Sequence, residues 1–258
     1  MDQTLSLPSF SVEGRVTIIT GASLGIGNAL ARGFAASGAA VVLVARSASD
    51  LDTAVRELES YRGKALAVPA DVTDEAQVSE MVRRTQDAFG RIDVLINCAG
   101  GTGADRSIPT LEMDVGVWKR IMDLNLKSAY LCCQAVGRVM ADQRRGSMIN
   151  FSSGTGVHPV HGMTHYGPAK AGINQLTRML SVELGCYNIR VNAISPGLID
   201  TETERKYMPP ASFEKYRRAV PLGRVGQPSD ILGLALFLAS DASAYISGTI
   251  IPVSGGPQ

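Results

Sequence analysis

Short runs of β-branched and other apolar residues recur along the chain: VTIIT at Val16, VVLVA at Val41, ALAVP at Ala65, VLIN at Val94, SMINFS at Ser147, RVNAIS at Arg190 and TIIPV at Thr249. Between most of them the apolar residues fall at helical spacing, so strand and helix alternate. Strands that are apolar on both faces belong in a parallel sheet covered on each side by helices. The expected architecture is therefore α/β, a single doubly wound parallel sheet of about seven strands with helices on both faces. No linker, internal repeat or low-complexity segment divides the chain. Residues 15–258 read as one domain, preceded by a short mobile tail over residues 1–14 with Ser and Pro in it.

Charge excludes one class of partner. There are 25 basic and 24 acidic residues with no long run of either sign, which leaves no electrostatic footprint for nucleic acid. Apolar runs such as AAVVLVA at Ala39 fall far short of the roughly 18 residues a membrane crossing requires. MDQTLSLPSFSVEGR lacks the basic start and apolar stretch of a secretory signal. Four cysteines, two of them the adjacent Cys132 and Cys133, make no disulfide framework. A reduced cytoplasmic protein with neither nucleic acid nor membrane as a partner is expected.

Two segments suggest particular elements. From Val117 onward, apolar Ile121, Leu124, Leu131, Ala135 and Val139 predict a long amphipathic helix, to cover the sheet or to meet a second subunit. Glu202 to Arg218 mixes both charge signs with a Pro pair and reads as an exposed, mobile flap, part of a substrate flap near residues 200–220. Its interleaved charges favour a solvated face over a docking surface for an acidic carrier.

The first strand runs into TGASLGIG, where Gly21, Gly25 and Gly27 stand between strand and helix. Glycine lets the backbone approach a pyrophosphate closely, and the free amides opening the next helix attract its charge. The strand before and helix after supply the context a dinucleotide site requires. At the end of the second strand an acid would bind a ribose 2′-hydroxyl and an arginine a 2′-phosphate. Here Ala45 and Arg46 stand there with no acid before Asp50, which favours NADP(H) over NAD(H), although Leu24 supplies no second basic group. Arg46 as a plain surface residue is the competing reading.

Tyr166 and Lys170 open a segment with apolar residues at Ile173, Leu176, Leu180 and Leu184. A four-residue step brings the pair onto one helix face, where an ammonium would lower the tyrosine's ordinary value near ~10. Such a pair can give a proton to a carbonyl oxygen or take one from an alcohol. Upstream, Ser153 ends the strand SMINFSS, and the carboxyl ends of parallel strands are where such sheets bind ligands.

In this order the residues resemble the classical short-chain dehydrogenases/reductases, from about Arg15 to Gly256. The resemblance is carried by TGASLGIG, Asp71-Val72, NCAG at Asn97 to Gly100, Asn125, Ser153, Tyr166-x-x-x-Lys170 and SPGLIDT from Ser195 to Thr201. It implies a Rossmann fold and a hydride exchange between a nicotinamide cofactor and a ketone or secondary alcohol. It further implies Tyr166 as acid or base, Lys170 as its modulator and a ligand of the nicotinamide ribose, and Ser153 on the substrate oxygen. Asn125 would position a water that links Lys170 to solvent. Gly21, Ser23, Leu24, Gly25, Ile26 and Gly27 would hold the cofactor, with Arg46 and Ser47 at its 2′ end. Asp71 and Val72 would border the adenine, and Asn97, Ala99 and Gly100 would line the cleft. Pro196, Gly197, Ile199 and Thr201 would embrace the nicotinamide end. Tyr166 and Lys170 count among the cofactor contacts, no metal is implied, and a homotetramer through the helices of Asn125 and Tyr166 and the last strand is expected. Cys98 and Ser254 depart from the family's NNAG and VDGG patterns.

The same pattern is similar to 3-oxoacyl-carrier-protein reductases and to bacterial hydroxysteroid dehydrogenases, so the substrate stays open between them. A regulator that binds NADP without turnover is the alternative of another class. The only histidines, His158, His161 and His165, lie just upstream of Tyr166. The glycine between His161 and His165 and the missing acidic partner argue against a metal site. His158 and His161 read as substrate-pocket wall or as solvent-exposed, and His165 as pointing away from Tyr166.

Overall fold

The computed structural model describes residues 8–61 and 63–257. Seven parallel strands form one sheet in the order β3-β2-β1-β4-β5-β6-β7. They are β1 (Val16–Thr20), β2 (Ala40–Ala45), β3 (Ala65–Pro69), β4 (Val94–Asn97), β5 (Gly146–Phe151), β6 (Ile189–Pro196) and β7 (Ile250–Val253), each on one of the apolar runs. Successive side chains of a strand point to opposite faces. Val41, Leu43, Val94 and Ile96 accordingly enter one core with Leu30, Phe34 and Leu238. Val42, Val44 and Leu95 enter the other with Met81, Val136 and Met140. Burial on both faces is what required apolar residues at consecutive strand positions.

Helices α1 (Gly25–Ala36), α2 (Ala48–Leu58) and α3 (Glu75–Phe89) link the first strands. Asp74 caps α3 by accepting the Gln77 amide at 3.0 Å, and left-handed Gly90 ends it. The long helix expected from Val117 is interrupted. It comprises α4 (Val115–Met122), a π-helical turn over Asp123–Lys127 and α5 (Ser128–Gln143). Apolar periodicity does not register one inserted residue, so sequence spacing read through the bulge as uniform helix. Asn125 lies inside that turn.

Helix α6 (Gly167–Leu184) follows β5 and a loop, and α7 (Glu202–Tyr207), α8 (Pro210–Ala219) and α9 (Pro228–Ala239) follow β6. The expected flap is thus two helices, stapled by its own ion pairs: Arg205 to Asp200, and Arg217 and Arg218 to Glu214. Lys206 stacks on the Tyr207 ring. These local partners take up most of the basic charge that sequence offered to a carrier.

Of the tail expected over residues 1–14, residues 1–7 lie outside the described residues. The rest is docked: Val12 is buried in the core, Phe10 packs on Phe237, and the Ser9 carbonyl accepts the Ala242 amide. Polar residues on either side of Val12 masked its single apolar anchor in the composition. Among the described residues no helix is long and apolar enough to cross a membrane.

Candidate active site

Strand order reverses between β1 and β4, which opens a crevice at the carboxyl ends of the sheet. The glycine loop enters it from β1. Gly21 and Gly25 have φ of 68° and 57°, a region that side chains disfavour. A Cβ on Gly21 would lie 2.9 Å from Ala99 Cα, and one on Gly27 2.2 Å from the Gly21 carbonyl oxygen. Thr20 draws the opposite wall in, its hydroxyl accepting the amides of Cys98 and Ala99 at 3.1 Å each.

Helix α1 has no side-chain N-cap and no acid in its first turn, so its leading amides lack intrahelical partners. They border a cleft of about 520 Å³. Unfilled donors and a close glycine backbone are the cradle a pyrophosphate requires, and the residues fit a dinucleotide. Ser23, Leu24, Ile26, Ser47, Asp71, Val72, Ala99 and Gly100 all line it. Arg46 lines it too, exposed and without an ion-pair partner among the described residues, while Asp50 also reaches the wall. Asp71 is held below the usual carboxylate range, chiefly by the Thr73 amide.

Asn97 departs from expectation: it is buried one layer beneath the cleft, donating to Asn150 Oδ1 at 2.9 Å and tying β4 to β5. It is the last residue of β4, and its pleat turns it inward. The neighbouring Cys98 lines the cleft, with burial pushing its thiol up to about 12, which leaves it protonated and unreactive.

A second cavity, of about 450 Å³, adjoins the cleft. Tyr166 borders both. It stands at the start of α6, with Ser153, which follows β5, on the same cavity wall. Burial pushes the phenol up to about 12, Ser153 pulling the other way. The expected depression by Lys170 is not found. Lys170 is buried with its ammonium 5.4 Å from the Tyr166 ring centre, donating to the Phe151 carbonyl at 2.8 Å. Burial lowers Lys170 itself to about 8, so desolvation dominates both groups. Ser152 is occupied elsewhere, donating to Asn174 at 2.5 Å.

Asn125 fixes the backbone beside the cleft. Its side chain clamps the loop after β4, accepting the Gly101 amide at 2.7 Å and donating to the Gly101 carbonyl at 2.9 Å. Its other N–H bonds the Ile121 carbonyl of α4. A Cβ on Gly100 would lie 2.7 Å from Asn125 Oδ1 and 3.3 Å from Lys170 Nζ, and glycine there lets both groups converge.

Pro196, Gly197 and Ile199 line the second cavity, and Thr201 borders both spaces while capping α7. His158 reaches the cavity wall, but His161 does not and is exposed. His165 is fully buried, its Nε2 2.6 Å from the Asp105 carbonyl oxygen. Among the described residues no group of three potential ligands could hold a metal.

The family model described as enoyl-(acyl carrier protein) reductase matches residues 21–258. A 3-oxoacyl-(acyl-carrier-protein) reductase of Thermotoga maritima is 40% identical over 95% of this chain and 98% of its own. The chain belongs to the short-chain dehydrogenase/reductase family. Galactitol 2-dehydrogenase of Cereibacter sphaeroides, which forms L-tagatose, is 37% identical over 96% of each chain. A solved 7α-hydroxysteroid dehydrogenase complexed with NADH and 7-oxoglycochenodeoxycholic acid superposes with a TM-score of 0.93 at 34% identity, covering 98% of each chain.

This short-chain dehydrogenase/reductase is an oxidoreductase that interconverts CH–OH and keto groups, and its sheet is the expected Rossmann architecture. Sequence reasoning missed Arg106 and Glu204, which form an ion pair of 2.6 Å on the cavity wall. They are 98 positions apart, and no spacing rule links them. Met163 and Val220, which add to the cavity's apolar lining, carried no sequence signal either.

Proposed function

We propose that the protein is an NADP(H)-dependent reductase of ketones, reversible toward secondary alcohols, with Tyr166 as the proton donor. The observation that carries this reading is Tyr166, set on the wall common to cleft and cavity, with Ser153 beside it on the cavity wall. When bound, the dinucleotide supplies or accepts the hydride at its nicotinamide ring. Tyr166, protonated at neutral pH, gives its proton to the carbonyl oxygen and recovers one in the reverse direction. Ser153 donates a hydrogen bond to that oxygen as negative charge develops on it. Lys170, an ammonium below about pH 8, would hold the nicotinamide ribose beside the phenol. Asn125 acts as a positioning residue, fixing Gly101 between the two spaces.

The glycine loop would hold the pyrophosphate, Asp71 and Val72 the adenine, and Pro196, Gly197, Ile199 and Thr201 the nicotinamide end. Arg46, exposed at the rim beside Ser47 with no ion pair among the described residues, supports a 2′-phosphate and hence NADP(H). An apolar cavity wall suits the acyl chain of a 3-oxoacyl thioester, the substrate class of the Thermotoga relative. It also suits a cyclic ketone. A cytoplasmic homotetramer fits the exposed Tyr130 on α5 and Met179 and Val182 on α6, and a monomeric mass in solution would contradict it.

The test is absorbance of the reduced cofactor during incubation with acyl thioesters, steroids and small cyclic ketones, with each cofactor in turn. Oxidation of NADPH by at least one class is expected. Binding without turnover across the panel would refute the reading and favour a non-catalytic regulator.

A further inference from the structure

We infer that Arg106 selects substrates carrying a carboxylate besides the keto or hydroxyl group, an assignment that rests on the carbonyl-reductase reading above. Arg106 lies in the loop after β4 and Glu204 in α7, so their pair joins two separate walls of the cavity. The side chains keep exposures of 26% and 28% at this position.

Arginines of this chain meet acids in two ways, and Arg106, like Arg120 and Arg218, gives one nitrogen to one carboxylate oxygen. Arg205, Arg217 and Arg224 each close two bonds on a single carboxylate. Arg106 uses Nη1 alone, on Glu204 Oε2. The remainder of its planar donor fork has no hydrogen-bond partner among the described residues, and the side chain borders the cavity. A fork edge of this kind matches a carboxylate in bidentate fashion.

One guanidinium can hold two acids in this protein. Arg83 takes Glu80 on Nε and Nη2 and Asp87 on Nη1. A substrate carboxylate on the free edge of Arg106 would complete the same arrangement, with Glu204 as the standing partner. Both members of the pair also influence Tyr166 electrostatically, which sets them near the reacting end of the cavity. Val160, Met163, Leu198 and Val220 give the cavity an apolar patch, beside polar Ser153, Thr155 and His158. The substrate so described is a keto or hydroxy acid with an apolar body.

The experiment compares oxocyclohexanecarboxylate with its methyl ester in NADPH oxidation, for the wild type, Arg106→Gln and Arg106→Lys. In the wild type kcat/KM should favour the acid, and Arg106→Gln should cut the acid-to-ester ratio by about tenfold to a hundredfold. Arg106→Lys should restore part of that ratio, since charge survives while the fork is lost. Equal use of acid and ester by the wild type would overturn the inference, as would an unchanged ratio in Arg106→Gln. Calorimetric titration of phenylbutyrate and its neutral amide needs no turnover and separates this inference from the catalytic reading. The wild type should bind the acid at least about tenfold more tightly than the amide and Arg106→Gln should not. Equal affinities in the wild type would sink the inference even if ketones are reduced, and a wild-type preference lost in Arg106→Gln would sustain it even if they are not.

Discussion

The cleft and the cavity meet at Tyr166 but are built by different means. The cleft is backbone: a glycine loop packed so close to Ala99, just past β4, that a Cβ on Gly21 would lie 2.9 Å from its Cα, uncapped amides of α1, and strand ends held in sheet register. The cavity is side chains on loops and on the short helices α7 and α8, joined by ion pairs such as Arg106–Glu204. Backbone sites tolerate almost no added atoms, while side-chain walls can change one residue at a time. One half is suited to a constant cofactor and the other to a variable substrate.

Tyr166→Phe should have the largest effect, about a thousandfold loss of ketone-dependent NADPH oxidation, with nucleotide affinity changed only a few-fold. Full turnover in that variant would break the division at its centre. Gly27→Ala should be the most damaging change in the cleft. Its Cβ would overlap the Gly21 carbonyl, at a cost of about 1–3 kcal/mol in stability, and dinucleotide affinity measured by fluorescence should fall at least about tenfold. Wild-type affinity would mean that the loop is less tightly built than the contacts require.

Arg46→Asp should reverse a preference for NADPH over NADH by about tenfold or more, removing a charge-assisted bond and adding repulsion. An unchanged NADPH Michaelis constant would refute the role given to Arg46. The rate of ketone reduction should fall as pH rises through about 8, because Lys170 is an ammonium below that value and neutral above it. Residual activity in Lys170→Met should lose that limb, and a limb that persists would assign it to another group. Smallest of all, Tyr216→Ala on the cavity wall should shift KM for bulky ketones a few-fold and leave nucleotide affinity alone.

How far each half could be read from sequence follows from the same contrast. Gly21, Gly25 and Gly27 were legible because backbone geometry admits few residue types there, and Tyr166 and Lys170 because one helical turn relates them. The strands were legible because burial on both faces leaves an uninterrupted apolar run. Asn97 was misplaced because the alternation of a pleat sets whether the last residue of β4 faces the cleft or the core. The uniform helix expected through Asn125 missed the π turn, and of His158 and His161, both left open between pocket wall and solvent, only His158 reaches the wall.

Sequence by itself determined the sheet, the glycine loop and the residues that meet at its carboxyl edge, since each depends on local periodicity or on a steric demand at one position. Only the tertiary structure decided the protonation balance, with burial raising Tyr166 and lowering Lys170 against the simple expectation from their charges. It alone joined Arg106 to Glu204 across 98 positions. Desolvation and long-range pairing depend on what surrounds a group in space, and neighbours along the chain carry no record of that.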